Sequence, residues 1–342
     1  MEAEIAEIGS NPSVKELAKE ALSKVPERYV LPNIDPPILF NTHSLSDQIP
    51  VIDLAKLFLP QELKPPELEN LHLACKQWGF FQVINHGIDM EVVEDVKRGA
   101  EELFNLSMED KKKLWQREGD MEGFGQMISK PKDEPSDVGG CFSLENLEVY
   151  CKEMRELAMK LYGVIGEALD IGGKEMKESI GEAGQAIRIN YYPPCPQPEN
   201  VLGLKSHTDA SALTILLQGN EVEGLQLKKD GTWLPVHPLP NAFMVFIGDV
   251  LEVVTNGIYK SIEHRAVVNS EKERVSIATF YGPGWSDSIG PAPTLVTPQT
   301  PPLFKTIGVA DFYKGYLSPQ HFGKPKSYIN NVLKIQNHLT PT

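Results

Sequence analysis

Cysteine is scarce in this chain of 342 residues, and acidic residues outnumber basic ones. The four cysteines are Cys75, Cys141, Cys151 and Cys195. They form no C-x-x-C pair, and a chain this long needs no disulfides to stabilise its core, so we expect reduced thiols and a cytoplasmic location. The 33 Lys and Arg against 47 Asp and Glu leave a net charge of -14. This charge disfavours a nucleic-acid partner, because an acidic surface repels phosphates, and it favours a small cationic or neutral substrate.

Long apolar runs are also missing from the sequence. Those that occur are shorter than the about 20 residues that cross a bilayer, so we expect no membrane partner. The acidic segment 1–10 lacks the apolar stretch of a secretory signal. With 41% hydrophobic and 23% charged residues, the composition is that of an ordinary globular protein, which we expect to be a monomer.

The N-terminal half mixes helical and strand patterns. Apolar residues recur at helical spacing in 67–78, Gly79 is placed to end that helix in a left-handed conformation, and 80–84 is a buried strand. A second helix is predicted over 92–104, and Ser107 has the character of a capping box for a third. Residues 128–140, rich in Lys, Pro, Asp, Ser and Gly, predict an exposed loop.

A long helix is expected next, with Ser143 as its N-cap and an apolar stripe that ends at Leu169. After Gln185 the pattern changes to period two with β-branched residues. The candidate strands are 186–192, 212–218, 224–228, 232–236, 242–247, 258–268 and 273–281. Seven or more short strands with frequent turns imply a sandwich or a jelly-roll barrel.

Three residues have the types and spacing of a metal site: His207, Asp209 and His264. On a strand, side chains two residues apart point to the same face, so His207 and Asp209 can bind one ion, and His264 can complete the set from a neighbouring strand. Two histidines and one carboxylate on one face of an octahedron are typical of non-haem iron(II) oxygenases, although His and Asp also bind zinc. The remaining histidines have no partner at ligand spacing and are interpreted as packing or surface residues: His43, His72, His86, His237, His321 and His338.

Arg274 and Ser276 strengthen the oxygenase interpretation. Their spacing of two places a guanidinium and a hydroxyl on one strand face, where they can hold one end of a dicarboxylate. If the other end chelates the metal, the cosubstrate is 2-oxoglutarate. A zinc hydrolase would leave both residues without a role. The alternative for Arg274 is a surface salt bridge, which the apolar residues on both faces of this strand disfavour.

Several long motifs resemble the plant 2-oxoglutarate- and iron(II)-dependent dioxygenases of specialised metabolism. They are 78–87, 190–198, 207–209, 256–265 and 274–276. The resemblance covers nearly the whole chain and is greatest to the subgroup of SRG-type proteins and benzylisoquinoline alkaloid O-demethylases. It implies an α+β fold, with a double-stranded β-helix (jelly-roll) core and a helical N-terminal region.

The five parts expected on this basis follow the chain in order. They are an N-terminal arm at 1–48, an α+β region at 49–150, a support helix and linker at 151–184, the iron and 2-oxoglutarate core at 185–286, and a C-terminal segment at 287–342.

The resemblance also implies the chemistry. Iron(II) would be held by His207, Asp209 and His264, and the distal carboxylate of 2-oxoglutarate by Arg274 and Ser276. Asn190 and Tyr192 would add hydrogen bonds to that carboxylate, or the tyrosine would simply pack. O2 is the second cosubstrate and ascorbate the supporting reductant. The expected reaction is hydroxylation or O-demethylation of a small aromatic metabolite, such as an alkaloid, flavonoid or phenolic compound.

Phe280 and Phe124 are the candidate residues of the substrate pocket, and core packing is the alternative for both. Around them the sequence departs from the resemblance. Between Gln126 and the long helix, relatives usually carry a longer insertion with an additional strand, whereas this chain has only 127–142. A missing strand would uncover a sheet edge and part of the pocket. The competing hypothesis is therefore a catalytically impaired binding protein, or a shortened isoform that lacks part of its substrate pocket.

Overall fold

The computed structural model describes most of the chain. The described residues are 14–19, 23–31, 48–60, 62–114, 125–127, 137–139, 144–181 and 184–335. No helix within these ranges is both long and apolar enough to span a membrane. Phe124 and Ser143 lie outside them.

Most of the helices come from the N-terminal half of the chain. They are α1 (Val14–Lys19), α2 (Pro65–Leu73), α3 (Met90–Asn105), α4 (Met108–Lys113), α5 (Leu144–Ala168), α6 (Gly172–Ile180), α7 (Asp249–Val254) and α8 (Val309–Tyr316). Ser107 caps α4 by accepting a hydrogen bond from the backbone N–H of Asp110, as the capping pattern predicted. The helix α7 has no predicted counterpart.

Two larger sheets and two short pairs contain the strands. The strands are β1 (Val51–Asp53), β2 (Phe80–Ile84), β3 (Gly125–Met127), β4 (Asp137–Gly139), β5 (Gly184–Tyr192), β6 (Leu202–His207), β7 (Leu213–Gln218), β8 (Leu225–Lys229), β9 (Thr232–Pro235), β10 (Phe243–Ile247), β11 (His264–Val267), β12 (Arg274–Gly282), β13 (Ser288–Ile289) and β14 (Ile307–Gly308). One sheet has the order β1-β2-β10-β7-β12-β5, and the other has the order β6-β11-β8-β9.

The two sheets face each other and enclose the interior of the core. On the outer face of the larger sheet, Ile189, Ile215 and Ile277 pack in one apolar core with Met154 and Leu161 of α5. On its inner face, a second apolar cluster joins Phe80 and Phe246 to Leu225 and Leu227 of the smaller sheet. This cluster fills part of the interior and leaves the rest for polar side chains. The expected α+β class with a sheet-rich core is confirmed.

Gly79 shows how local sequence positions the first strand of the core. A π-helical turn over Ala74–Trp78 follows α2, and Gly79 ends it with φ of 63°. A Cβ at this residue would lie 2.0 Å from the carbonyl oxygen of Lys260, so the backbone approaches too closely for any side chain. The predicted left-handed cap is therefore present, and β2 begins directly after it.

Three predictions about the strands were wrong in part. The strand predicted over 258–268 forms only at His264–Val267, because Asn256 and Gly257, at φ of 48° and 77°, turn the chain after α7. The strand β6 was not predicted, since its residues are all half-buried and show no alternation.

The third correction concerns the loop expected over 128–140. Its residues Asp137–Gly139 form β4, which pairs antiparallel with β3. The backbone hydrogen bonds of a short strand pair form whatever the side chains are, so composition alone missed them. β4 also contacts β5, the edge strand of the larger sheet.

Candidate active site

The three predicted metal ligands meet at the edge of the smaller sheet. His207 ends β6 and His264 begins β11, and the two are antiparallel partners. Nε2 of His207 lies 3.5 Å from Oδ1 of Asp209, and Nε2 of His264 lies 3.8 Å from the same oxygen. All three ligand atoms lie within 4.8 Å of one another, an arrangement that could hold a metal ion.

Asp209 reaches this position by a route that the strand pattern did not predict. It lies beyond the end of β6, in an irregular segment, so the argument from alternation along one strand was wrong for this pair. The backbone of this segment still places Oδ1 of Asp209 3.5 Å from Nε2 of His207. The conclusion that the two side chains can bind one ion holds, while its physical cause is the irregular turn of the chain after β6.

Backbone carbonyls orient both imidazoles. Nδ1–H of His207 donates to the carbonyl of Lys205 at 2.8 Å, and Nδ1–H of His264 donates to the carbonyl of Ile262 at 3.1 Å. A carbonyl can only accept, so in each neutral ring Nε2 keeps the lone pair that a metal needs. The second carboxylate oxygen of Asp209, Oδ2, is buried without a hydrogen-bond partner.

The electrostatics of the cluster suit a cation. Burial and the neighbouring His207 lower the pKa of His264 to about 4, so this ring is neutral near pH 7. Burial alone would raise the pKa of Asp209, but His264 and then His207, in their protonated forms, hold it well below its usual range. For His207, burial works toward a lower pKa, and the hydrogen bond and charge of Asp209 outweigh it and raise the pKa. A metal ion would displace the proton that His207 shares with Asp209, and a carboxylate beside two imidazoles is then a donor set typical of iron(II).

Arg274 and Ser276 lie in the same interior as the candidate ligands. One narrow cavity is lined by Arg274, Ser276 and Asn190 and also by all three candidate ligands. Arg274 is 2% exposed. Its Nη2 donates to Oε1 of Gln218 at 2.9 Å and its Nη1 to the hydroxyl of Ser276 at 3.3 Å.

The guanidinium of Arg274 is not fully satisfied by these contacts. Its Nε has no hydrogen-bond partner, and neither has Oδ1 of Asn190. Among the described residues, no carboxylate forms an ion pair with Arg274, so the surface salt bridge considered for it is absent from that part of the chain. A buried cation that faces a cavity in this way can bind a carboxylate.

Strand register brings the other two predicted cosubstrate residues to the same place. Tyr192 is the direct cross-strand partner of Arg274, and Asn190 is that of Ser276. The guanidinium carbon of Arg274 lies 5.4 Å from the centroid of the Tyr192 ring. Gly224 makes room for Arg274, because a Cβ there would lie 2.7 Å from Cδ of the arginine.

Comparisons with known proteins agree with this geometry. The family described as "2OG-Fe(II) oxygenase superfamily" matches residues 183–283, and "non-haem dioxygenase in morphine synthesis N-terminal" matches 49–157. Oxoglutarate-dependent flavonoid 7-O-demethylase 1 of Ocimum basilicum is 45% identical over 351 positions, which cover 95% of this chain and 91% of the relative. The chain belongs to the 2OG-Fe(II) oxygenase superfamily.

Further relatives support the same membership. Thebaine 6-O-demethylase of Papaver somniferum is 47% identical and covers 86% of this chain and 88% of the relative. A solved structure described as JOX2 in complex with 2OG, Fe and JA is 32% identical, with a TM-score of 0.83, and covers 95% of this chain and 99% of that one. The resemblance seen in the motifs is confirmed. This oxygenase is a 2-oxoglutarate-dependent dioxygenase, and its cofactor and cosubstrate are iron(II) and 2-oxoglutarate.

The alignment with the basil relative contains more positions than this oxygenase has residues. It extends over 351 positions, whereas the whole chain has 342 residues, so the relative carries residues that this chain lacks. Such a difference agrees with a shortened segment. Its place near 127–142 stays a prediction.

A larger cavity opens beside the candidate metal ligands of the oxygenase. It has a volume of about 440 Å³ and is bordered by His207, Asp209 and Phe280. Phe280 also lines the narrow cavity of Arg274, so it stands where the two meet. Other aromatic side chains complete the wall: Tyr29, Trp285, Tyr313, Tyr316 and Phe322. The sequence had suggested Phe280 for this place, while Phe124 lies outside the described residues.

Sequence reasoning missed several residues of the oxygenase site. Arg188 lines both cavities, and its place on the same strand face as Asn190 and Tyr192 is a signal that period two could have shown. Lys205 lines the larger cavity. Tyr316 reaches the site from a segment far along the chain, and no local pattern could have found it.

Proposed function

We propose that His207, Asp209 and His264 hold iron(II), and that Arg274 and Ser276 bind the distal carboxylate of 2-oxoglutarate with help from Tyr192 and Asn190. The observation that carries this proposal is one narrow cavity that is lined both by three converging ligand atoms and by a buried guanidinium. These two kinds of group suit the two ends of 2-oxoglutarate, because one end would chelate the metal and the other would pair with the guanidinium.

When bound, iron(II) supplies the oxidation of a substrate C–H bond by O2, coupled to conversion of 2-oxoglutarate into succinate and CO2. The protein orients the reactants and excludes water. The guanidinium of Arg274 can form two parallel hydrogen bonds to the distal carboxylate of 2-oxoglutarate, and these bonds fix which end of the cosubstrate faces the metal. Phe280 lines both cavities, so it can contact the substrate beside the cosubstrate, and the aromatic wall keeps water out.

We propose O-demethylation of an aromatic methyl ether as the reaction. The overall change converts the ether, O2 and 2-oxoglutarate into a phenol, formaldehyde, succinate and CO2. A cavity of about 440 Å³ is within the size range of pockets for small organic ligands, and its aromatic walls suit flat rings. The basil and poppy relatives are named as O-demethylases. Ring hydroxylation is the alternative outcome in the same cavity.

The charges of the cavity favour a neutral or anionic phenolic substrate over a protonated amine. Among the described lining residues the cationic side chains are Arg188 and Lys205, and the acidic one is Asp209, which the metal neutralises. The charge of Arg188 also reaches His207, where it works against protonation of the ring. The expectation of a cationic or neutral substrate, drawn from net charge, stays a prediction, and the charges that line the cavity favour its neutral alternative. Net charge describes the whole surface, whereas a substrate responds to the nearest groups.

The test is a paired substrate assay with iron(II), 2-oxoglutarate and ascorbate. We expect 7-methoxyflavone to yield succinate and formaldehyde at least about tenfold faster than thebaine, whose amine is protonated at pH 7. Faster turnover of thebaine would contradict the charge argument and leave O-demethylation intact. Absence of succinate with both, together with binding of 7-methoxyflavone, would favour the impaired binding protein.

We also propose that the oxygenase acts as a monomer in the cytoplasm, without a nucleic-acid partner. The net charge of -14 supports the last point. Cys75, Cys151 and Cys195 are unpaired among the described residues, which supports a reducing compartment. Light scattering after size-exclusion chromatography tests the monomeric state. A titration with duplex DNA at 50 mM salt tests the absence of nucleic-acid binding.

A further inference from the structure

Thr208 separates the two candidate ligands His207 and Asp209, and it is fixed by contacts from outside the sheet. Its carbonyl accepts a hydrogen bond from the hydroxyl of Tyr316 at 3.0 Å. Its side-chain oxygen accepts from the backbone N–H of Lys326 at 3.0 Å. The same hydroxyl donates to Oδ2 of Asp249 at 3.2 Å. The turn beyond β6 is thus held by groups of the C-terminal segment and of α7.

These contacts replace the hydrogen bonds that a strand would have provided. β6 ends at His207, so no sheet partner fixes the backbone of Thr208 and Asp209. The carbonyl of Asp209 accepts from the backbone N–H of Asp249 at 2.7 Å, which anchors the far side of the turn. The hydrogen bond from the Tyr316 hydroxyl to the carbonyl of Thr208 orients the peptide group between Thr208 and Asp209.

Tyr316 also belongs to the wall of the substrate cavity. It is the last residue of α8, and it lines the cavity of about 440 Å³ together with Tyr313 of the same helix. Its ring therefore faces the substrate while its hydroxyl holds the ligand-bearing turn. Phe312 packs beneath it in the core with its ring centroid 6.2 Å away, so the position of Tyr316 depends on both the cavity and the core.

We propose that Tyr316 is a positioning residue that couples occupancy of the substrate cavity to the geometry of the His207–Asp209 turn. The proposal rests on the assignment of these two residues as metal ligands. A substrate that packs against the ring restricts it in the orientation that bonds to Thr208. A substrate that stabilises this orientation of the ring therefore raises the affinity of the site for the metal. By thermodynamic linkage, the bound metal raises the affinity for the substrate by the same factor.

The variant that tests this coupling is Tyr316→Phe, which keeps the ring and removes the hydroxyl. Its matched control is Tyr328→Phe, whose ring also packs against Phe312, with centroids 5.6 Å apart, and which borders neither cavity of the site. The measurement is the affinity for Co(II), a redox-inert probe, in the presence of 2-oxoglutarate, with and without 7-methoxyflavone. It reports metal binding apart from turnover.

For wild type we expect 7-methoxyflavone to raise the Co(II) affinity at least about fivefold. Tyr316→Phe should bind Co(II) about three- to tenfold more weakly and should lose most of the effect of 7-methoxyflavone. Tyr328→Phe should keep the wild-type Co(II) affinity and the wild-type effect of 7-methoxyflavone. Oxygen-dependent assays should add a higher ratio of succinate to oxidised product for Tyr316→Phe, because the substrate no longer prepares the site.

Two outcomes would overturn the coupling alone. One is a Co(II) affinity of Tyr316→Phe equal to that of wild type, and the other is an equal loss in both tyrosine variants, which would indicate general packing. Absence of a 7-methoxyflavone effect in wild type also counts against it. His207→Ala gives the baseline: if wild type binds Co(II) no more tightly than this variant, the metal site itself is refuted, and the coupling with it.

Discussion

The two ends of the interior are built from different kinds of structure. At the cosubstrate end, Arg274 and Ser276 lie on β12, which pairs in continuous register with β5 on one side and β7 on the other. At the substrate end, residues of β5, β6 and β12 are joined by the arm residue Tyr29, by Trp285 after β12, and by α8 and the segment that follows it.

This difference has a functional meaning. A strand in the middle of a sheet holds its side chains at set positions, which suits a cosubstrate that never changes. Helix ends and connecting segments tolerate substitution and insertion, which suits a substrate that differs among relatives. Changes at the first end should therefore abolish every reaction, whereas changes at the second should alter which molecule is oxidised.

The largest effect is expected at the three proposed metal ligands. His207→Ala, Asp209→Ala or His264→Ala should each reduce iron(II) binding and succinate formation to about 1% or less, because removal of one ligand also leaves the others poorly oriented. Iron(II) binding is measured by titration and succinate by chromatography. EDTA should abolish activity, and added iron(II) should restore it.

His237→Ala is the matched control for these ligand variants. Nδ1 of His237 lies 2.6 Å from Oε1 of Glu223, and the residue borders neither cavity of the site. Succinate formation by any ligand variant at the rate of this control would remove that residue from the proposed metal site.

A smaller but still large effect is expected at Arg274. Arg274→Lys should raise the Kd for 2-oxoglutarate about ten- to a hundredfold, because an ammonium cannot form the two parallel hydrogen bonds of a guanidinium. Calorimetric titration of the Co(II)-loaded protein measures this directly. Arg155→Lys, on the exposed face of α5, makes the same chemical change away from the site. Similar affinities for both variants would assign the cosubstrate carboxylate to other residues.

The smallest effect is expected on the stability of the fold, at His86, which lines neither cavity of the site. Nδ1 of His86 accepts from the backbone N–H of Ile88 at 3.1 Å, and Nε2–H donates to the carbonyl of Asn241 at 3.0 Å, so the folded ring is neutral. Burial lowers the pKa of His86 below its ordinary 6.5, against the bond to Asn241. The unfolded chain then takes up a proton first, so stability is kept above pH 6.5 and falls as the pH drops below it.

We expect this loss to be less than about 1 kcal/mol between pH 7.5 and 5.5. His86→Gln can keep both hydrogen bonds without titrating, and urea unfolding at the two pH values should show a smaller change in the free energy of unfolding for the variant. Equal changes in the variant and wild type would show that the ring of His86 does not control this dependence. Activity with 2-oxoglutarate should be the same in both proteins at pH 7.5.

Much of the fold and the chemistry was predictable from local patterns. The left-handed cap at Gly79, the capping box at Ser107 and the long apolar stripe of α5 were all expected, because each depends on residues a few positions apart. The placement of Arg274 and Ser276 on one strand face was also expected from period two, and both line the same cavity. Where the pattern was weak, as in β6, or interrupted by a turn, as after α7, the prediction was wrong.

The sequence by itself determined which groups are available: two imidazoles, a carboxylate, a guanidinium with a hydroxyl two residues away, and the strands that carry most of them. The tertiary structure alone decided that Asp209 reaches the imidazoles through a turn, that Tyr192 and Asn190 stand opposite Arg274 and Ser276, and that Tyr316 closes over Thr208. The physical reason is the distance along the chain over which each kind of interaction acts. Rotamer, capping and strand periodicity act over a few residues, whereas register between strands and the docking of the C-terminal segment depend on packing of the whole core.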